Sequence, residues 1–432
     1  MMTVNKKRLL AVAAFVAVAA LSAALGLRAA RGRVPDATAA LEPVPAETAL
    51  PPVTALPVTP TAPITPVRFA AWYPTSQPHF LPPSVTARGA AFAPSSFDMA
   101  FVLNKAADGD APDVFLAVAG PDGELSGQAE RLVGLPDDAA VAHVVSHQAA
   151  RRYALGAVAG GGSAGRGRYS DVWLVSEDGH AVQRLTDGTV DVADFWWLPD
   201  GAALAVLEAD GRLVVRDIGL GPETVLAHDL LTPSGAAGVY LAWAPDGSAA
   251  VLGTYDADDL SGRLELVRRS DGRRTVLARF AESGMPLPVF APDGGRVFAF
   301  VTDGENTTRA ALYEVDLQPG GGQRYLADLG VAGDASAWVR SALAHPTQPY
   351  LIFVQDGAVR RINTDGTGLA DVVPRGDEVV RGDVLLRVLP DGRARVGYVA
   401  STYLGDAGAA TDGGQTVSTA FGVRSAALPD AP

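Results

Sequence analysis

Few residues of this chain have types and spacings that could do chemistry, and they are scattered. Gly161-Gly162-Ser163-Ala164-Gly165 fits the nucleophile elbow G-x-S-x-G, and read from Gly160 the stretch also fits G-x-G-x-x-G. An elbow needs a strand-to-helix turn in an α/β sheet, and a phosphate cradle needs a helix N-terminus after its glycines. Arg166-Gly167-Arg168 follows and opens no apolar helix, so the segment reads as a hairpin loop between two strands of one sheet. His143 and His147 are four apart in a strand, on one face and about 13 Å apart, too far to share a metal. They read as packed or hydrogen-bonded histidines, with no third ligand nearby. Asp256, Asp258 and Asp259 alternate as calcium ligands can, but the loop lacks the glycine and distal glutamate of a calcium site and reads as a solvated turn. The chain therefore nominates no catalytic residue, no metal ligand and no cofactor.

The elements that would carry any site are set by a repeat. Leu198-Pro199-Asp200-Gly201, Ala244-Pro245-Asp246-Gly247, Ala291-Pro292-Asp293-Gly294 and Leu389-Pro390-Asp391-Gly392 each join two apolar runs. Proline fixes φ at a turn corner, Asp caps the turn with its side chain, and Gly supplies a positive φ, which predicts a hairpin at each site. Trp197, Trp243 and Phe290 stand two residues before the proline. Because strand side chains alternate with period two, that constant offset predicts a constant face, with the aromatics between neighbouring sheets. Degenerate copies at Pro94, His147 and Pro346 extend the series to seven markers, Pro94, His147, Pro199, Pro245, Pro292, Pro346 and Pro390, spaced 44 to 54 residues apart. Each interval accommodates four short strands. Fourth strands are expected at Val182 to Leu185, Thr224 to Ala227, Thr275 to Phe280, Arg324 to Leu326 and Asp371 to Val373. Self-similar units of this length, with Asp-Gly turns and no helical period, predict an all-β domain, a β-propeller of seven four-stranded blades with six or eight as alternatives.

The aromatic, small residue, Pro-Asp-Gly and β-run resemble the WD40-like repeat called PD40, found in the propellers of TolB-type proteins and of some peptidases. The resemblance covers about residues 86 to 424, with four intact copies. It implies a propeller, and the small α/β domain that precedes the propeller in TolB proteins has no counterpart here. Propellers often bind ligands at the channel mouth, which makes Asp194, Asp334 and Asp383, near the starts of innermost strands, candidate binding residues.

Charge and composition narrow the partners. The chain of 432 residues has 48 acidic and 35 basic residues, a formal charge of −13, which disfavours a nucleic-acid partner because phosphate backbones need a basic stripe. It has no cysteine, which rules out disulfides and thiolate chemistry and leaves the compartment open. Lys6-Lys7-Arg8 precedes the uncharged run Leu9 to Leu27, followed by Arg28, Arg31 and Arg33. As a helix that run reaches about 28 Å, enough to cross a bilayer with its basic tail in the cytoplasm. Residues 1–33 are thus expected to be a signal-anchor, a cleaved signal peptide being the alternative. Residues 34–67, with nine prolines, read as an extended spacer of up to about 100 Å. The propeller is expected over 68–426, with a tail at 427–432. Phe69, Trp72, Tyr73 and Phe80 are too apolar for a spacer. Val67 to Tyr73 is expected to supply the missing fourth strand of the last unit and close the ring.

The sequence therefore predicts a single-pass, extracytoplasmic, monomeric propeller that binds an envelope protein or glycan without catalysis; secretion or a periplasmic form is the alternative location. The competing activity is a hydrolase or lyase, lactonase-like or glycan-cleaving, whose residues converge at the channel from different blades and leave no local motif.

Overall fold

Each described Pro-Asp-Gly site closes a hairpin in the computed structural model, whose described residues run from 85 to 428, apart from 106–112, 122, 134, 136–138, 160–168, 190, 220, 231–238, 257–258, 260, 304–308, 319–321, 331–337, 377, 390–391 and 407–416. Gly201 N donates to Leu198 O at 2.9 Å and Ala202 N to Asp200 Oδ1 at 2.9 Å, while Gly201 holds φ at 69°. The same bonds recur at Asp246, with Gly247 N to Ala244 O at 2.8 Å, and at Asp293, with Gly294 N to Ala291 O at 2.9 Å. The proline-capped turn is thus a local, sequence-encoded device.

Twenty-seven described strands form seven antiparallel sheets in chain order. The first blade holds β1 (Val85–Phe92), β2 (Met99–Lys105), β3 (Asp113–Ala119) and β4 (Leu125–Val133). The second holds β5 (Ala139–His147), β6 (Arg152–Ala159), β7 (Asp171–Ser176) and β8 (Val182–Arg184), and the third β9 (Val192–Trp197), β10 (Ala203–Glu208), β11 (Leu213–Asp217) and β12 (Thr224–Ala227). The fourth holds β13 (Tyr240–Trp243), β14 (Ala249–Asp256), β15 (Ser261–Arg268) and β16 (Arg274–Ala281), and the fifth β17 (Leu287–Phe290), β18 (Val297–Thr302), β19 (Ala310–Val315) and β20 (Gln323–Asp328). The sixth holds β21 (Val339–Ala344), β22 (Tyr350–Gln355), β23 (Ala358–Asn363) and β24 (Ala370–Val373). The seventh has three described strands, β25 (Glu378–Val388), β26 (Ala394–Asp406) and β27 (Val417–Ala427). The expected fourth strands fall on β8, β12, β16, β20 and β24.

The first strand of each blade lies innermost, and β1 packs on the last blade as well as on β5, so the ring closes. The core is therefore not one cluster. It is seven apolar layers, one in each gap between successive blades, including Phe92, Phe101 and Met99 against Val399 and Val423 where the seventh blade meets the first. Second strands are covered on both faces by adjacent blades, so they read as continuous apolar runs and not as alternations. All of β10 and all of β22 are buried. Trp197, Trp243 and Phe290 each join an inter-blade layer, as their offset from the turn requires.

The predicted membrane span Leu9 to Leu27, the spacer 34–67 and the closing segment Val67 to Tyr73 lie outside the described residues. The chain divides into the units Met1–Thr54 and Ala55–Pro432, and all described residues belong to the second. Among them no helix is long and apolar enough to cross a membrane.

Candidate functional site

Antiparallel order gives the propeller two unlike faces. Turns from first to second strand and from third to fourth emerge on one; connections from second to third and from each blade to the next emerge on the other. On the turn face the first connections are uniformly short, such as 198–202 and 244–248, and they stack. A Cβ on Gly201 would meet His147 of the second blade, one on Gly247 would lie 3.8 Å from Pro199, and one on Gly294 3.4 Å from Pro245. On the loop face, connections range from the two residues 356–357 to the twelve of 228–239. Stereotyped turns build the ring, and the variable loops are where recognition residues are placed.

The turn face holds polar ties between blades. Glu177, in the third-to-fourth turn of the second blade, accepts from Ser95 N at 2.7 Å, from the Ser95 hydroxyl, and from Arg151 Nε at 2.9 Å. Burial pushes its pKa up, but these donors outweigh it and hold the carboxyl below its ordinary value. Arg387 on β25 is buried, and its Nη1 donates to Pro94 O at 2.9 Å, joining the seventh blade to the first. Burial lowers its pKa, against the nearby Tyr153 and Glu177. These groups have structural partners in neighbouring blades, so they read as ring fasteners.

The loop face presents the innermost strands, several of them bulged. The extra residue is Ala142 on β5, Ala193 on β9 and Arg340 on β21, and on β25 the irregularity spans Arg381 to Leu385. A bulge adds local twist and re-aims a side chain. Arg340 is exposed and, among the described residues, makes no ion pair or hydrogen bond. It lines a recess of about 180 Å³ with Trp338, Asp356, Gly357, Arg375, Val379 and Val380, between the sixth and seventh blades. The two-residue turn Asp356-Gly357, with φ of 47° and 74°, keeps this wall low. A Cβ on Gly357 would meet Val379 Cγ1 at 2.5 Å, and Val380 N donates to Gly357 O at 2.9 Å, so turn and strand are pinned together. Arg375 Nη1 pairs with Asp356 Oδ1 at 2.7 Å, and Trp338 stays 50% exposed. The recess thus offers two guanidiniums, one already held in place, an indole face and an apolar floor.

The structure separates the residues that the sequence put forward. Asp194 is the third residue of β9, half-buried, and its Oδ1 accepts from Phe195 N at 2.9 Å. Asp383 lies exposed in the irregular stretch of β25. Asp334 lies outside the described residues. His143 packs on Tyr169 and Phe195, with ring centroids at 6.1 and 5.6 Å. His147 packs on Trp197 at 5.4 Å and accepts from Ala150 N at 3.3 Å. Both are packed histidines, as their strand spacing predicts. Asp259 pairs with Arg263 at 2.9 Å and Arg279 at 3.4 Å, and Asp256 pairs with Arg263, so guanidiniums already neutralise these two acids. The Gly161 to Gly165 motif lies outside the described residues, in the connection between the paired strands β6 and β7. Arg340 and Trp338 were not singled out. A charge on an innermost strand, in Trp338-Val339-Arg340-Ser341-Ala342-Leu343, was the signal available.

No family model matches the chain. Over 121 residues it is 31% identical to Coronin-7 of Homo sapiens, a stretch that is 28% of this chain and only 12% of that protein. A chain from the crystal structure of the mitotic checkpoint complex has a TM-score of 0.50 at 14% identity, covering 93% of this chain and 100% of that one. A chain of Kuenenia stuttgartiensis hydrazine synthase also has a TM-score of 0.50 at 14% identity, covering 73% of this chain and 92% of that one. A TolB-type protein of Agrobacterium tumefaciens reaches 0.39 at 13% identity over 65% of this chain and 87% of that one, too loose a likeness to carry an argument. At these identities the likeness shows the fold alone: a seven-bladed, WD40-like propeller.

Proposed function

We propose that this propeller is a non-catalytic binding or scaffold module, displayed outside a bacterial membrane on a tether and recognising an envelope protein or glycan through its loop face. The observation that carries the reading is the division of labour between the faces: short stacked turns on one, and connections that vary from the two residues 356–357 to the twelve of 228–239, with bulged inner strands, on the other. Location rests on the sequence, namely the uncharged run Leu9 to Leu27 between basic clusters and the proline-rich 34–67. In this reading 1–33 anchors, 34–67 spaces, 68–426 forms the propeller and 427–432 is a tail. Asp194, Asp334 and Asp383 remain candidates for contacts at the channel mouth.

Protease added to intact cells, or to spheroplasts if an outer membrane shields the protein, should digest the propeller. The mature N-terminal mass should retain the Leu9 to Leu27 segment. Crosslinking in whole envelopes should attach a discrete partner to the loop face. A propeller that resists digestion until the cytoplasmic membrane is breached would overturn the location. Crosslinked envelopes that return no partner would overturn the binding role.

A further inference from the structure

We infer that the recess between the sixth and seventh blades docks an acidic peptide segment of a protein partner, seating an Asp or Glu carboxylate on Arg340 and a neighbouring apolar side chain against Trp338. This deepens the reading of the propeller as a binding module and rests on it. Arg340 is the bulged residue of β21, at a site where β5 and β9 carry the small residues Ala142 and Ala193. A bulge with a long cation directs a charge outward where β5 and β9 put only a methyl group. Its guanidinium is exposed and has no partner among the described residues, whereas Arg375 is held by Asp356 at 2.7 Å. A carboxylate on Arg340 can be gripped by two parallel N–H···O bonds, and the fixed Arg375 adds a second positive charge beside it.

The other groups in the recess favour a peptide over a sugar. Among the described residues its lining is Trp338, Arg340, Asp356, Gly357, Arg375, Val379 and Val380, which include no side-chain amide or hydroxyl, and the one carboxylate among them is engaged by Arg375. A sugar would leave most of its hydroxyl donors without acceptors here, and buried unpaired polar groups are costly. A cavity of about 180 Å³ suits one or two side chains. Trp and Arg are the residue types that dominate protein-docking hot spots, and here they share one recess. The rest of the molecule sets a limit: a formal charge of −13 repels a strongly acidic domain, so the occupant is a short segment with one or two acids.

The test uses the full-length protein and three fluorescent probes: a degenerate peptide library with a central Glu beside Leu, the same library with Gln in place of Glu, and a glucuronate oligosaccharide. Anisotropy should show the Glu library binding about tenfold more tightly than the Gln library, and Arg340→Glu abolishing that preference. Trp338→Ala should weaken the Glu library by a similar factor. Both side chains are exposed, and an unchanged melting temperature confirms folding. Equal binding of the two libraries, an unchanged preference in Arg340→Glu, or binding of the oligosaccharide alone overturns the docking site. If Arg340→Glu keeps the preference while envelope crosslinks still return a partner, only the recess is wrong. If no probe binds and no crosslink forms, the binding-module reading fails with it.

Discussion

At the residue scale, the degenerate repeat units show how a lost turn residue is replaced. In His345-Pro346-Thr347-Gln348 no Asp-Gly remains, and His345 Nδ1 accepts from Thr347 N at 3.3 Å and Gln348 N at 3.0 Å. At the second unit His147 Nδ1 accepts from Ala150 N at 3.3 Å. Each imidazole does what the carboxylate does at Asp200, and both nitrogens must be unprotonated to do it. Burial lowers the pKa of His345, and also that of His147 despite the opposing hydrogen bond with Pro199 and the charge of Asp200. Their folded values lie below the unfolded value of about 6.5, so the unfolded chain takes up protons first as pH falls. The stability these residues contribute is complete above about pH 6.5 and is lost as pH drops toward their folded values. The denaturation midpoint should fall between pH 7 and pH 5, and His345→Asn, which keeps an acceptor, should flatten part of that slope. An identical pH profile in wild type and variant would contradict the assignment. The sequence marked these positions as weak copies but could not show the acceptor role, which depends on ring orientation.

The same turn sequence sits in different surroundings at the scale of the element. Gly201 and Gly294 share φ near 70°, so alanine at either should cost about 1 kcal/mol or somewhat more in backbone strain. A Cβ on Gly201 would also stand 2.5 Å from His147 Nδ1 and 2.9 Å from Ala150 N, whereas on Gly294 its nearest neighbour is Pro245 Cδ at 3.4 Å. Gly201→Ala should therefore lower stability by roughly 1–3 kcal/mol more than Gly294→Ala, a difference that urea denaturation resolves. Equal losses would mean that the stacking of one blade's turn on the next contributes nothing. The outer strands rely on charge more than on apolar burial. Arg184 on β8 grips Asp171 at 2.7 and 2.8 Å, Arg274 on β16 pairs with Glu265, and Arg324 on β20 with Glu314, while in the sixth blade the order inverts to Arg360 and Asp371 at 3.0 Å. Hairpins and their turns were legible because their determinants are adjacent in sequence; these cross-strand pairs were not, because register decides them.

For the whole molecule the decisive event is ring closure. Phe92, Met99 and Phe101 of the first blade pack with Val399 and Val423 of the last, and Arg387 reaches Pro94 O, so residues nearly 300 apart must meet before either layer is dry. Six blades have four strands and the seventh has three among the described residues, and eleven residues separate β1 from the segment expected to complete it. A fourth strand from Val67 to Tyr73 would remove the open edge of β27 and couple the two ends of the propeller. A chain beginning at Thr65 should unfold at a temperature several degrees above one beginning at Thr86, by the roughly 2–4 °C per kcal/mol typical of large domains. Equal stability of the two would exclude that strand.

The sequence alone determined the hairpins, the inter-blade aromatics and the packed state of the two histidines, because each follows from local turn chemistry and the period-two alternation of strands, while of the blade counts it left open the structure decided seven. It could not determine which charges meet. Arg340 joins Trp338 and Arg375 in one recess because a bulge in β21, the two-residue Asp356-Gly357 turn and the start of β25 come together from separate parts of the chain. That convergence follows from how the blades are placed around the ring, a property of tertiary packing that no local spacing carries.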